Sequence, residues 1–186
     1  MTLATTTIPN YLAGTWSIDP THSDVSFSVR HMMVSKVKGR FGSFSGAIVT
    51  AENPLDSTVT AEIDLSSIDT NNAQRDDHIR SRDFFEVDKY PTMTFTSTSV
   101  QADGEDYLVT GDLSLKGITK SVTLKLELNG IGPDAFGGTR AGFSASTEIS
   151  RKEFGVDIDM PMDGGGVVIG DKISIALEIE AVLDAA

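Results

Sequence analysis

The amino-acid sequence predicts an all-β protein, a closed antiparallel up-and-down barrel of about eight strands interrupted once by a short helical insert. Three observations lead there. From Trp16 onward, apolar and polar residues alternate with the period of two that a half-buried strand requires. The segments between these runs are short and rich in Gly and Asp, which favours hairpins between antiparallel neighbours. One stretch, residues 71–95, breaks the alternation with a dense mixture of charges.

Taken in order, Val25, Phe27 and Val29 alternate with Ser26, Ser28 and Arg30. Phe41 and Phe44 have opposite parity, so Gly42 between them predicts a bulge that turns both rings inward. Val59, Ala61, Ile63 and Leu65 share the face of another strand, and Met93 with Phe95 that of a third. Tyr107, Val109, Leu113 and Leu115 follow, with Gly111 among them. Val122, Leu124, Leu126 and Leu128 oppose Thr123, Lys125 and Glu127, and Ala141, Phe143 and Ala145 form the next set. The last run is the longest: Ile173, Ile175, Leu177, Ile179, Ala181 and Leu183 oppose Ser174, Ala176, Glu178 and Glu180. Turn chemistry separates these runs at residues 102–106, 116–117, 130–138 and 163–166.

Strands near ten residues, tilted as a barrel demands, give a wall on the order of 25 Å tall. Several inward positions are small: Ala61, Gly111, Ala141, Ala145 and Ala181. That leaves room for one ligand, and the same pattern fits a solid core in which Phe27, Phe95 and Phe143 fill the space. The inward candidates for a cavity wall are Phe27, Val29, Phe41, Phe44, Phe95, Leu113, Leu115, Leu124, Leu126, Phe143, Ile175 and Leu177.

At 186 residues, with 39% hydrophobic and 23% charged residues, the chain reads as one soluble domain over 15–186 behind an N-terminal tail, residues 1–14. Its formal charge of -12 excludes nucleic acid as a natural partner and disfavours an anionic membrane surface. The absence of cysteine removes disulfides, thiol nucleophiles and thiolate metal sites. No run has the length of a membrane-spanning helix or the shape of a secretory signal, so neither membrane insertion nor export is expected and the location read from the chain is cytoplasmic. A transmembrane barrel fits poorly, because the polar faces carry Lys and Glu and the aromatic residues form no girdles. The Thr-rich tail is expected to lie on its own barrel or on a second copy, a possible homodimer.

Between Arg75 and Lys89 stand four basic residues (Arg75, Arg80, Arg82, Lys89), five acidic ones (Asp76, Asp77, Asp83, Glu86, Asp88) and His78. A helix over residues 73–82, capped by Asn71 or Asn72, would put Arg75, His78 and Arg82 on one narrow face. Such a face could hold a polar head group, or its charges could pair with each other and fix the insert to the rim. Catalysis by His78 with Asp76 or Asp77 and with Ser81 would need an orienting geometry that spacing does not supply. His22, His31 and His78 form no metal-binding spacing. His22 beside Asp19 and Ser23 reads as a corner-stabilising residue. Gly164-Gly165-Gly166 reads as a hairpin loop, since it lacks the Lys and Ser or Thr of a phosphate-binding loop, and Met160-Pro161-Met162 as an apolar segment packing it down.

Several spaced motifs resemble the YceI-like family. They are Trp16-x-Ile18-Asp19-x-x-His22-Ser23, Phe27-x-Val29-x-His31, Gly39-x-Phe41 and Arg75-Asp76-x-His78-Ile79-x-Ser81-x-Asp83-Phe84-Phe85, followed by Tyr90-Pro91 and Phe95. Later come Gly111-x-Leu113-x-Leu115-Lys116-Gly117-Ile118-Thr119-Lys120, Arg151-x-x-Phe154-Gly155 and Gly170-Asp171. The resemblance runs from Trp16 to Leu183. It implies a lipocalin-like barrel of eight antiparallel strands that carries a long amphiphile such as a polyisoprenoid or isoprenoid quinone, in a family whose members are often exported and dimeric. A binding protein without enzymatic activity is therefore expected, with a bound isoprenoid or other lipid but no cofactor and no metal, and with Arg75, His78 and Arg82 at the polar head. The alternatives are an enzyme acting on a small apolar substrate through His78 and a nearby carboxylate, and a solid-core scaffold.

Overall fold

A computed structural model describes residues 8–32, 34–158 and 169–185. The readings for residues 1–7, for Met160-Pro161-Met162 and for Gly164-Gly165-Gly166 fall outside that range. The strands are β1 (Gly14–Ile18), β2 (Asp24–His31), β3 (Ser35–Phe41), β4 (Phe44–Thr50), β5 (Thr58–Asp64), β6 (Ile68–Asp69), β7 (Thr92–Asp103), β8 (Asp106–Leu115), β9 (Ile118–Pro133), β10 (Thr139–Ser150) and β11 (Ile169–Leu183). All pair antiparallel, in the order β1-β4-β5-β7-β8-β9-β10-β11, and β11 closes the ring on β1. The closed barrel therefore has eight staves.

Two staves are broken. β1 and β2 pair in turn with the end and the beginning of β11, and β4 and β3 pair with them in the same way. The break between β3 and β4 lies at Gly42 and Ser43, where Gly42 donates its N–H to the Ser67 carbonyl (3.2 Å). This is more than the single-residue bulge that parity predicts, and it has the predicted result that Phe41 and Phe44 both turn inward. β5 ends at Asp64, so Leu65 is no longer on its face; it opens a 3-10 turn (Leu65–Ser67) and is fully buried. The predicted turn over residues 130–138 is also shorter than expected. β9 continues through Pro133, and the register shift that skips Asn129 accommodates its glycines within the strand.

The turn from β8 to β9 is the two residues Lys116 and Gly117, both at positive φ (52° and 76°), as a tight antiparallel hairpin with the right twist demands. Small inward residues serve two purposes. A Cβ on Gly111 would stand 2.5 Å from the Phe95 ring, so that glycine makes room for a side chain rather than for a ligand. Ala141 and Ala181 likewise pack around Trp16, which is 1% exposed and donates its indole N–H to Thr50 Oγ1 (2.9 Å).

We call the end where β11 finishes the upper end. The corner between β1 and β2 is pinned there by charge. Arg140 donates Nη1 to Asp19 Oδ2 (2.8 Å) and Glu180 Oε2 (2.9 Å), and Nε to Asp134 Oδ2 (3.0 Å). His22 Nδ1 lies 2.8 Å from Asp19 Oδ2, and Ser23 bonds the Glu180 backbone, which is the corner role expected of this histidine. Asp19, His22 and Glu180 bring ligand-type atoms within 4.8 Å of one another, but the Arg140 guanidinium supplies the positive charge at that spot. Arg140, and then His22, hold the Asp19 carboxyl well below the usual carboxylate range. The backbone N–H groups of Gly138 and Phe136, with Arg140 behind them, lower Asp134.

Both carboxyls are depressed in the folded state, so their contribution to stability is present above their ordinary pKa near about 4 and is lost as pH falls below it. The expected result is that Asp19→Asn lowers the urea midpoint at pH 7 and that the gap from the parent narrows steadily as pH falls below about 4, to less than half by about pH 2. An equal gap at both pH values would show that Asp19 acts through packing alone.

Candidate functional site

The side chains do not fill the barrel. Two chambers lie in line along it, with cavity volumes of about 200 Å³ toward the upper end and about 240 Å³ toward the lower end. Val25, Met93 and Ile175 line both and form the waist between them. At about 24 cal/mol per Å³, side chains that filled the upper chamber would add on the order of 5 kcal/mol of packing, so leaving it open is a costly choice for a scaffold.

All twelve inward residues named from the alternation stand on these walls. Phe44, Phe95, Leu113, Leu124, Leu126, Phe143 and Leu177 face the upper chamber, Phe27, Val29, Phe41 and Leu115 face the lower one, and Ile175 faces both. Their placement follows from register, because a strand fixed by its neighbours presents every second residue to the same side. Ala61 on β5 and Ala145 on β10 also line the upper chamber. Those strands stand opposite each other in the ring, so the small residues widen the cavity from both sides.

The helical insert closes the lower end. Its helix α1 (Ala73–Arg80) is capped by Asn72, whose Oδ1 accepts from the Arg75 N–H (2.9 Å). Asp76 is buried and accepts from the Thr70 N–H (2.9 Å) and hydroxyl (2.5 Å), while Arg75 donates Nε and Nη2 to Thr70 Oγ1 and O. Arg80 donates to the Ser66 and Ile68 carbonyls and to Asp77. These bonds moor the insert to residues 66–70. Ile79, Phe84 and Phe85 then form a floor of the lower chamber, with Phe85 against Phe41 at 6.3 Å and Phe41 against Phe27 at 5.6 Å between ring centroids.

Arg75 and His78 both line the lower chamber; Arg82 does not join them. The helix stops at Arg80, with Ser81 as its C-cap in extended conformation, so the expected three-residue face is cut short and the exposed Arg82 is turned off it. His78 holds Asp83 (Nε2 to Oδ2, 3.0 Å) rather than Asp76 or Asp77, and it meets the edge of Phe84. The Ser81 hydroxyl donates to the His78 carbonyl and not to its ring. The proposed acid, base and serine are therefore not assembled.

Alternation passed over other groups. Arg30, His31 and Arg151 also line the lower chamber, and Tyr11 lines the upper one beside Tyr107, which alternation places on the inward face of its strand. Tyr11, from the tail, donates its hydroxyl to the Ala51 carbonyl (2.5 Å), so this part of the tail lies on its own barrel. The Tyr107 hydroxyl has no hydrogen bond among the described residues. Burial, and then the neighbouring Tyr11, raise its pKa, so it remains a proton donor facing an apolar space. Arg151 was visible only as part of a motif, without a role. The polar lining is thus divided between hydroxyls above and cations below.

The YceI-like domain family matches residues 16–181. A UPF0312 protein of Photorhabdus laumondii is 45% identical over 152 residues, covering 80% of this chain and 79% of its own. Protein YceI of Escherichia coli is 46% identical over 140 residues, covering 75% and 73% respectively. Among solved structures, the Campylobacter jejuni YCEI protein superimposes with a TM-score of 0.72 at 30% identity, over 84% of this chain and 90% of that one. A polyisoprenoid binding domain from Saccharophagus degradans gives a TM-score of 0.70 at 20% identity, over 93% of this chain and 100% of that one, a likeness of fold.

Proposed function

The chain belongs to the YceI-like family, and from that premise we propose that it binds a long amphiphilic lipid, a polyisoprenoid or an isoprenoid quinone, within the barrel, as a carrier or store rather than as an enzyme. The observation that carries this reading is the pair of apolar chambers in line, which share Val25, Met93 and Ile175 as the wall between them. Together they reach the range of about 300–1,000 Å³ in which small-molecule sites fall. Each buried methylene contributes about 0.8 kcal/mol, so a chain threading both chambers binds tightly with little help from polar groups. The Saccharophagus degradans domain, described as polyisoprenoid binding, has the same fold.

The head group lies at the lower end, where Arg30, His31, Arg75, His78 and Arg151 surround the chamber. Arg75 and His78 already hold Thr70 and Asp83, so they frame the head while their remaining donors reach it. The test is native mass spectrometry of the purified protein with lipid extraction, followed by titration with two ligands of equal chain length. A co-purifying amphiphile is expected. A phosphate-headed polyisoprenoid is expected to bind more tightly than a neutral quinone, and only the former should weaken as salt rises. A barrel that carries no lipid and ignores both ligands sinks the reading.

A further inference from the structure

We propose that the hairpin of β2 and β3 is a docking element for the surface of an anionic phospholipid membrane, bringing the lower end of the barrel against the bilayer. The formal charge of -12 argues against such a partner only if the charge is spread evenly, and it is not. No Asp or Glu occurs between Asp24 and Glu52, while Arg30, Lys36, Lys38 and Arg40 lie in that interval. The opposite, upper end carries the acidic hairpin of Asp103, Glu105 and Asp106. A field divided in this way orients the barrel with its lower end toward a negative surface.

The local geometry makes the same point. Arg30 and Lys36 are directly opposite each other in the β2–β3 ladder, and both are exposed. Like charges in that position are destabilising, and the cost is relieved when an anion sits over them. Arg30, Lys36 and Lys38 have no ion pair or side-chain hydrogen bond among the described residues. Arg40 alone reaches a carboxylate, Asp69, at 3.8 Å. β6 supports β3 only at Arg40 and Phe41, so among the described residues the β3 edge of the hairpin runs on free for about 20 Å to the tip, while β2 stays paired to β11 as far as His31, with Asp171 in the stretch of β11 beside Arg30.

That tip is apolar. Val34 is 87% exposed and Met32 is 43% exposed. Lysines on a strand with a free edge also discourage pairing with other chains, but an exposed valine at the tip works against that purpose. Cations flanking an apolar tip are what an interface of anionic head groups over acyl chains rewards, since basic side chains meet the phosphates and the apolar ones enter the boundary. Arg30 and His31, next to the tip of the hairpin, line the lower chamber, so docking would bring that chamber against the lipid surface.

Flotation of the full chain with vesicles tests this. The vesicles contain phosphatidylcholine alone, or phosphatidylcholine with phosphatidylglycerol, and no isoprenoid, so the outcome is independent of the cargo. Binding to the phosphatidylglycerol vesicles only, released by high salt, is expected. Lys36→Glu with Lys38→Glu should lower the bound fraction at least about tenfold, and Val34→Asp should lower it even at low salt. Lys120→Glu with Lys125→Glu, the same charge change on β9, should leave it within about twofold. Circular dichroism shows that each variant is folded. Three outcomes overturn the proposal: no flotation of the parent on anionic vesicles, equal loss in both charge-reversed pairs, or retention on heparin without any vesicle binding.

Discussion

Replacing Ala145 by Trp should empty the barrel of lipid while leaving it folded. Ala145 lines the upper chamber from β10, opposite Ala61 on β5, where the cavity is bounded by the smallest side chains. An indole projecting there takes the space of about four methylenes of a bound chain. At about 0.8 kcal/mol each this removes about 3 kcal/mol of binding, or about a hundredfold in affinity. Stability should change by less than about 2 kcal/mol, because the ring fills open space and any overpacking strain is offset by new contacts. Lipid extraction of parent and variant, together with urea denaturation, separates the two effects. A variant that retains as much lipid as the parent would mean that the chain does not pass between β5 and β10.

The inward faces of the strands were legible because a period of two admits no ambiguity once one face is buried: a slip by one residue would expose the whole set. That is why Leu113, Leu124 and Leu177 stand on the cavity wall as the alternation predicts. What alternation does not encode is contact between strands remote in sequence. Ala61 and Ala145 open the cavity, while Ala141 and Ala181 are equally small and inward but make room for Trp16. The difference arises only when β11 closes on β1. The insert was legible as a charged helix with an Asn cap, yet its partners were not. Arg75 and Asp76 act on Thr70 and Arg80 on two backbone carbonyls, because those groups come within reach only when residues 66–70 run beneath the helix. Net charge is a sum of the same kind, and it does not show that Arg30, Lys36, Lys38 and Arg40 stand together on the β2–β3 hairpin.

Arg151 should prove the most costly side chain at the lower end to remove. It is 5% exposed and opens a 3-10 turn (Arg151–Phe154) after β10, which Gly155 terminates at φ 74°. No carboxylate pairs with it among the described residues. Its guanidinium instead donates to backbone carbonyls: Nε to Gly170 (2.9 Å), Nη1 to Val156 (2.7 Å) and Ile158 (3.0 Å), and Nη2 to Ile169 (3.3 Å). These acceptors belong to two separate stretches, the exit from β10 and the entry to β11, so one side chain ties them together beside the chamber. Hydrogen bonds from a charged donor are worth about 1.5–3 kcal/mol each, and carbonyls left without a donor in a buried place add their own penalty. Even allowing for partial rehydration, Arg151→Met should destabilise the fold by about 3 kcal/mol or more. Arg151→Lys should recover only part of this, since an ammonium is a compact charge and cannot span acceptors that the planar fork reaches together. Urea denaturation of the three proteins checks the ranking. A methionine variant within about 0.5 kcal/mol of the parent would mean that solvent satisfies these carbonyls as well as the arginine does.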